Sequence, residues 1–339
     1  MKTSIHRRLE QNKAWLEERL KGNFDVIIQD IEHGGKTVAF LVYIEGMADS
    51  EAISDHVMAP LLRQEWDHIS ASQRKEAEDF ETVLEAVFSG NSAVFLDKSD
   101  KAMIVSVRGG TRRGVEEPNS EAVIRGPREG FIENLRTNTA LVRFKIKSPN
   151  LKMESFTIGT ETHTQVVLAY MEDIVDPGVL KEARERLQRI HIDGILESGY
   201  IEEFIEDNPY SPFPQFQYTE RPDTAAAQLL EGRFAVFVDG SPFVLMAPVT
   251  FMELLQASED YYERFMIGSM IRILRILFML LALYLPAIYV AVMTYHQDMI
   301  PTNLLLSIAA AREAIPFPTI VEALIMEVSF EALREASIR

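Results

Sequence analysis

The sequence predicts an α/β protein: two small, related mixed-sheet subdomains followed by a membrane helical region. Three observations carry this. The run Ile276–Gln297 holds no Asp, Glu, Lys or Arg, and a bilayer core of about 30 Å needs roughly 20 apolar helical residues. Upstream of it, apolar strand-like runs alternate with helical periodicities, the pattern of sheets covered by helices. The upstream part also repeats itself. Tyr43-Ile-Glu45 with Asp49 matches Tyr170-Met-Glu172 with Asp176, and Gly90-Asn-Ser-Ala-Val-Phe-Leu-Asp97 matches Gly232-Arg-Phe-Ala-Val-Phe-Val-Asp239, in the same order. The expected organisation is a subdomain at residues 1–115 with a linker at about 109–119, a second subdomain at 120–258, and a membrane region at 265–339. Within the last, a transmembrane helix is expected at about 274–295 and a broken helical segment at 302–338.

Composition narrows the function. A net charge of -17 argues against nucleic acid, which needs a basic face, and against loose attachment to anionic lipid. There is no cysteine, which excludes disulfides, thiolate zinc sites and cysteine nucleophiles. The N-terminus is too charged for a signal peptide. Arg264, Arg272 and Arg275 precede the apolar run, and Asp298 follows it. Cytoplasmic loops carry the Lys/Arg excess, so residues 1 to about 265 are expected in the cytosol.

In chain order, residues 3–21 read as a polar helix ended by Gly22, and Val26–Ile31 with Val38–Ile44 as a hairpin turning at Gly34-Gly35. Gly35-Lys-Thr37 is no phosphate loop, because Asp30 stands where that motif needs glycine and a strand comes next. Asp49 and Ser50 cap a helix to about Glu65. Ser70 with Gln73 forms a capping box ahead of a helix with Phe80, Val83, Leu84, Val87 and Phe88 on one stripe. Ser72-Gln-Arg-Lys75 has the S-x-x-K spacing of some acyl enzymes but lacks any partner motif, and it reads as surface. Strands Ala93–Leu96 and Met103–Val107 come next.

The second subdomain opens at Ile124, with Gly126 and Pro127 suited to a bend and a first helical turn. Its helix carries Arg136, Arg143, Lys145 and Lys147, either a patch for an anion or acidic partner or simply a solvated cationic face. Asp176-Pro177 starts a helix to about Arg189. Residues 207–222 hold four prolines and four aromatics, read as an extended loop or a partner-docking surface. Asp223 caps a helix over Thr224–Leu230, strands Phe234–Val238 and Phe243–Ala247 succeed it, and Thr250–Phe265 reads as a helix leading to the membrane. Pro286 interrupts the backbone bonding of the span, and Pro316 and Pro318 break the segment after Arg312-Glu313. Such a broken, charged segment either lines a cavity within protein or lies flat at the interface. No H-E-x-x-H, G-x-S-x-G, G-x-G-x-x-G or complete Walker motif is present, so an enzyme is disfavoured.

Several long motifs together resemble a known family. Ile124-Arg-Gly-Pro-Arg-Glu-Gly-Phe-Ile-Glu-Asn-Leu-Arg-Thr-Asn-Thr139 resembles the start of the second subdomain in A subunits of GerA-type spore germinant receptors. Ser211-Pro-Phe-Pro-Gln215, Tyr218-Thr-Glu-Arg-Pro-Asp223, Leu285-Pro286, Ala311-Arg-Glu-Ala-Ile-Pro-Phe-Pro318 and Glu322-Ala-Leu-Ile-Met-Glu327 are similar to it as well. The resemblance implies a subunit of a nutrient-sensing receptor in the spore inner membrane, with its N-terminal region cytosolic. Implied partners are a transporter-like B subunit, a lipoprotein C subunit, further copies of the A subunit and membrane lipid. It implies an ion-conducting oligomer and neither cofactor nor enzymatic activity. Gating candidates are then Pro286, Arg312, Glu313, Pro316, Pro318, Glu322 and Glu327, and partner-interface candidates Arg125, Arg128, Glu129 and Arg136. Because the family continues with further membrane helices, a C-terminally truncated form is expected. The alternatives are an ion-release paralogue of the SpoVA type, or a small-molecule-binding module anchored to the membrane.

Overall fold

The computed structural model describes residues 3–63, 74–109, 121, 123, 125–312 and 317–338, in two compact units, Met1–Leu254 and Leu255–Arg339. The first unit is built twice over from one plan. Helix α1 (Leu9–Arg19) precedes the hairpin β1 (Val26–His33) and β2 (Lys36–Ile44). A helical crossover of α2 (Ser50–Ile53), a π turn and α3 (Ala59–Leu62) leads towards β3 (Arg74–Ala77), and α4 (Phe80–Val87), β4 (Ser92–Leu96) and β5 (Ala102–Val105) complete the set. The second copy runs α5 (Leu135–Lys145), β6 (Leu151–Ile158), β7 (Thr164–Met171), α6 (Pro177–Arg189), α7 (Ser198–Ile205), β8 (Gln217–Thr219), α8 (Pro222–Leu230), β9 (Phe234–Val238) and β10 (Val244–Ala247). The strand orders β1-β2-β4-β5-β3 and β6-β7-β9-β10-β8 are the same topology. Two related α/β modules were legible in the sequence. Every strand pair in the two sheets is antiparallel, which narrows the mixed sheet expected.

Both faces of each sheet are covered. Phe40, Val42 and Phe95 pack under α1 and α4, while Ala39, Leu41 and Val94 pack under the crossover helices. In the second sheet Val167, Ala169 and Phe237 face α5 and α8, and Val166, Leu168 and Val236 face α6 and α7. Strands buried on both faces need apolar residues at every position. That is why Phe234–Val238 reads as an unbroken apolar run, without the alternation of a half-exposed strand.

The repeat extends to polar details that no spacing reveals. Asn12 and Asn138 are both buried, and each side chain bridges the backbone six residues upstream. The His6 amide donates to Asn12 Oδ1 at 2.8 Å, and the Ile132 amide to Asn138 Oδ1 at 2.8 Å. The Ile5 amide bonds Glu78 O and the Phe131 amide bonds Glu220 O, tying each lead-in segment to its sheet edge. Truncating either asparagine orphans a buried amide and carbonyl. Asn138→Ala is therefore expected to cost about 2–3 kcal/mol, read as a lowered midpoint in denaturant unfolding.

Several boundaries differ from expectation. The fourth helix begins at Phe80, capped by the Asp79 carboxylate on Thr82 N at 2.8 Å, and Lys75 lies exposed in β3. Ser70, Ser72 and Gln73 lie outside the described residues, as do residues 110–120 of the linker. Gly126 and Pro127 precede no helix; α5 starts at Leu135 with Asn134 as its cap, because the intervening strap is held by the sheet edge. Pro222, not Thr224, opens α8, with Asp223 inside its first turn. The helix expected over Thr250–Phe265 is a short α9 (Phe251–Leu254) and a 3-10 turn (Ser258–Tyr261), both separate from the long apolar helix.

The second unit holds α10 (Phe265–Thr294), α11 (Thr302–Arg312) and α12 (Thr319–Ile338). At 1.5 Å per residue, a 30-residue helix is about 45 Å long. It runs through Pro286 and is apolar, with a mean hydropathy of 2.5 over its best window. Only 6% of that stretch is buried within this chain, and by length and composition it is long and apolar enough to cross a membrane.

Candidate functional site

Three places gather polar side chains that a structural role has to explain. The first is the seam between the two sheets. Helix α5 faces both cores: Leu141 and Val142 pack with the second sheet, while Ala140 and Phe144 pack with the first. Gly46, at φ 84°, lets the β2 turn approach this helix. A Cβ there would lie 3.1 Å from Arg136 O and 3.3 Å from Ala140 Cβ. Arg143 projects into the seam fully buried. Its Nε and an Nη donate to Asp25 at 2.8 and 2.9 Å, and the remaining donors reach Leu151 O at 2.7 Å and Asn23 Oδ1 at 2.8 Å. The guanidinium also lies 5.2 Å from the Phe88 ring centroid. Asn23 forms a parallel bridge to Met153, with Phe24 N on Met153 O at 2.9 Å. The cationic face expected on α5 is thus largely paired: Arg143 with Asp25, Arg136 with Glu45, and Lys145 with Glu129 at 3.2 Å, while Lys147 lies beyond the end of α5 and is exposed.

Beside the seam opens a cleft of about 670 Å³ with Trp15, Arg19, Lys152, Glu154, Tyr170 and Glu172 on its walls. Lys152 is buried, which pulls its pKa below the ordinary lysine value, and its Nζ donates to Arg19 O at 2.9 Å. Burial pushes the Glu154 carboxyl up, but hydrogen bonds from Arg184, at 2.6 and 2.8 Å, and from Tyr170 outweigh it and hold the pKa below the usual value. Burial and the Glu154 contact both raise the Tyr170 phenol. A depressed carboxylate adds stability that is present above its unfolded pKa of about 4.5 and lost as pH falls through the lower folded value. Glu154→Gln is expected to lower stability at pH 7 by about 1–2 kcal/mol and to flatten the loss of stability below pH 4.5, both read from denaturant unfolding across pH.

The third place is the lead-in to the apolar helix. Asp260 is almost fully buried and accepts from Arg275 at 2.8 and 3.1 Å and from Ala257 N at 3.2 Å. Arg275 also donates to Leu255 O at 2.6 Å, and Arg272 lies 3.8 Å from the same carboxylate and 5.3 Å from the Tyr261 ring. Gly268 permits this closeness, since a Cβ there would stand 2.4 Å from Asp260 O. Two of the three arginines read as topology signals therefore also clamp the 255–262 segment to the helix.

The residues singled out in the sequence are spread over both units. Arg125 and Arg128 are exposed on the strap before α5, whereas Arg136 and Glu129 are half-buried in the pairs just described. The strap itself is pinned by Arg221, buried, which donates to Glu121 O at 3.1 Å and Pro127 O at 3.0 Å. Pro286 lies inside α10, Arg312 ends α11, and Pro318 supplies the carbonyl that starts α12, on which half-buried Glu322 and exposed Glu327 sit. Helix α12 packs against α10. Glu313 and Pro316 lie outside the described residues. Asp25, Lys152 and Glu154 were not singled out from sequence, while Asp260 was read only as part of a polar boundary and Arg221 only as part of a family motif. Each is one polar residue in an acidic chain, and nothing local marks its distant partner. Among the described residues, no group of three or more His, Cys, Asp or Glu is placed to hold a metal ion.

A doubled module of antiparallel sheets with helices on both faces precedes a membrane-length apolar helix, the arrangement that the family resemblance implied. The Bacillus/Clostridium GerA spore germination protein family model matches residues 14–339. The chain belongs to that family. It is 54% identical to the uncharacterized membrane protein YfkQ of Bacillus subtilis over 98% of its own length and 67% of that protein's. It is 45% identical to spore germination protein KA of Bacillus subtilis over 98% of this chain and 63% of that one. The crystal structure of the N-terminal domain of the A subunit of the Bacillus megaterium spore germinant receptor GerK3 matches with a TM-score of 0.57 and 35% identity, over 74% of this chain and 98% of that domain. The chain spans about two thirds of the length of these full-length relatives.

Proposed function

We propose that the chain is the A-type subunit of a nutrient-sensing germinant receptor, held in the spore inner membrane by α10, with Met1–Leu254 in the cytosol. The observation that carries this is the unbroken family match from residue 14 to residue 339, through the doubled module and the apolar helix alike. Arg264, Arg272 and Arg275 at the N-terminal end of α10 support a cytosolic first unit. In this reading the subunit works with a transporter-like B subunit and a lipoprotein C subunit, and copies of it assemble around an ion path. The surfaces carrying Arg125, Arg128, Glu129 and Arg136 meet those partners. Helices α10 and α12, with Pro286, Glu322 and Glu327, line or gate the path, together with the candidates Arg312, Glu313, Pro316 and Pro318 named from the sequence. Glu322→Gln, placed in the receptor of intact spores, is expected to reduce ion release on nutrient addition several-fold. Unchanged release would remove Glu322 from the path. A second reading, a small-molecule-binding module anchored to the membrane, draws on the 670 Å³ cleft beside the seam. A nutrient that raises the thermal midpoint of the chain, and loses that effect on Lys152→Met, would favour it.

A further inference from the structure

Inside the second module, α6, the end of α7, the proline-rich loop and the start of β9 enclose a recess of about 350 Å³. It shares no lining residue with the cleft beside the seam. Its walls are apolar, formed by Val179, Ala183, Ile205, Phe216 and Phe234, and the last four are at most 6% exposed. Phe216 and Phe234 meet edge to face with centroids 6.3 Å apart, which fixes one wall. Two acidic lining residues are far more exposed, the Glu182 side chain 53% and that of Asp207 76%, and they form the mouth. Between them stands Arg186, with each of its three nitrogens engaged. Its Nε donates to Glu182 at 2.9 Å, and the two Nη reach Ile205 O at 2.6 Å and Asp207 at 2.5 Å. Gln215 braces the other side, accepting from the Asp207 amide at 2.6 Å and donating to Asn208 O at 2.9 Å. The mouth is therefore preformed, as small-molecule sites usually are.

We propose that this recess binds a small organic cation, a compact hydrocarbon body with a primary ammonium head. The walls select the body. Apolar side chains offer water no hydrogen-bond partners, so a hydrocarbon group replaces water there favourably. The mouth selects the head. Two carboxylates stand against one guanidinium, which occupies one oxygen of each. Among the described residues no donor reaches the other oxygen of either, so both are open to an ammonium group. A carboxylate ligand would meet like charge, and Arg186 has no unengaged nitrogen to offset it. A neutral alcohol gains the walls without the charge-assisted bonds. Neither the spanning helix nor the cleft beside the seam takes part in this site, which therefore goes beyond both readings of the function.

The test titrates the whole chain, in phosphatidylcholine nanodiscs, with cyclohexylamine, cyclohexanol and cyclohexanecarboxylate, which share one body and differ in the head. Salt at about 0.15 M screens the general attraction of a chain of net charge -17 for any cation. The Val179 and Ile205 methyl resonances report on the recess. Cyclohexylamine is expected to move both with an affinity about tenfold above that of cyclohexanol, the worth of one hydrogen bond to a charged group, while the carboxylate moves neither. Glu182→Gln combined with Asp207→Asn, both at exposed positions, is expected to cut the advantage of the amine to about twofold or less and to leave cyclohexanol binding as before. Ala183→Leu, which fills the recess, is expected to abolish the shifts by amine and alcohol alike; if that variant fails to fold, the double variant decides alone. Resonances unmoved by every probe would overturn the site, and so would equal affinity for amine and alcohol. An advantage of the amine that survives in the double variant would place the cation elsewhere on an acidic surface and overturn the assignment as well.

Discussion

Arg143→Met is expected to destabilise the first unit by about 3–5 kcal/mol, because it leaves the Asp25 carboxylate buried without its cation. Methionine keeps much of the aliphatic packing, so the loss reports the ion pair. The guanidinium also satisfies Leu151 O and Asn23 Oδ1, so three acceptors lose donors at once. Those acceptors come from both modules, Asn23 and Asp25 from the lead-in to β1 and Leu151 from β6, and the variant should therefore uncouple the two modules as well as lower their stability. In urea, the single transition of the parent is expected to move to lower concentration and broaden into two steps. Asp25→Asn in the same chain should recover part of the loss, since a neutral amide costs less to bury than a lone carboxylate. An Arg143→Met chain as stable as the parent would mean that the seam is held by its apolar contacts alone.

The second large effect is expected at the lead-in to the apolar helix. Asp260→Ala removes charge-assisted hydrogen bonds worth about 2–3 kcal/mol, so the population in which residues 255–262 detach from α10 rises about 30- to 150-fold. Chymotrypsin cleavage after Tyr261 or Tyr262 measures that population when opening is fast compared with cutting, and should accelerate accordingly. Gly268→Ala attacks the same contact sterically, through a Cβ that would stand 2.4 Å from Asp260 O, and should reproduce the acceleration with the ion pair chemically intact. Burial pushes the Asp260 carboxyl up, but the bonds from Arg275 and Ala257 outweigh it and leave the pKa lowered. Its contribution is therefore complete above the unfolded value of about 3.8 and lost only as pH falls through the lower folded value. Between pH 5 and 8 the cleavage rate of the parent, divided by the rate of the protease on an unfolded peptide at the same pH, should not change. If Asp260→Ala is cut no faster than the parent, the arginines serve the topology of the span and nothing else.

What could be read before folding was local. The Gly34-Gly35 turn, the Asp176-Pro177 helix start and the apolar helix through Pro286, expected at about 274–295 and found at Phe265–Thr294, each depend on residues within a few turns of one another. The family resemblance was legible for a related reason, since it rests on contiguous motifs. The strap over residues 125–134 was misread because glycine followed by proline does suit a helix start; the competing force was a set of bonds to Glu220, Arg221 and the Asn138 side chain, none of them adjacent in sequence. The proline-rich loop was open between packing on itself and offering a surface. It does both: Phe216 is buried while Tyr210 and Phe213 stay outside.

By itself, then, the sequence determined the α/β class, the doubling of the module, the apolar span and the family, because periodicity, capping and motif identity are written in neighbouring residues. The tertiary structure alone decided that Arg143 is a buried latch and not a surface charge, that Asp260 clamps the helix lead-in, and that the polar groups of Lys152, Glu154, Tyr170 and Glu172 share the wall of one cleft. Asp25 and Arg143 stand 118 positions apart. A charge is equally at home in water or in a buried pair, and only the fold supplies the partner that tips that balance.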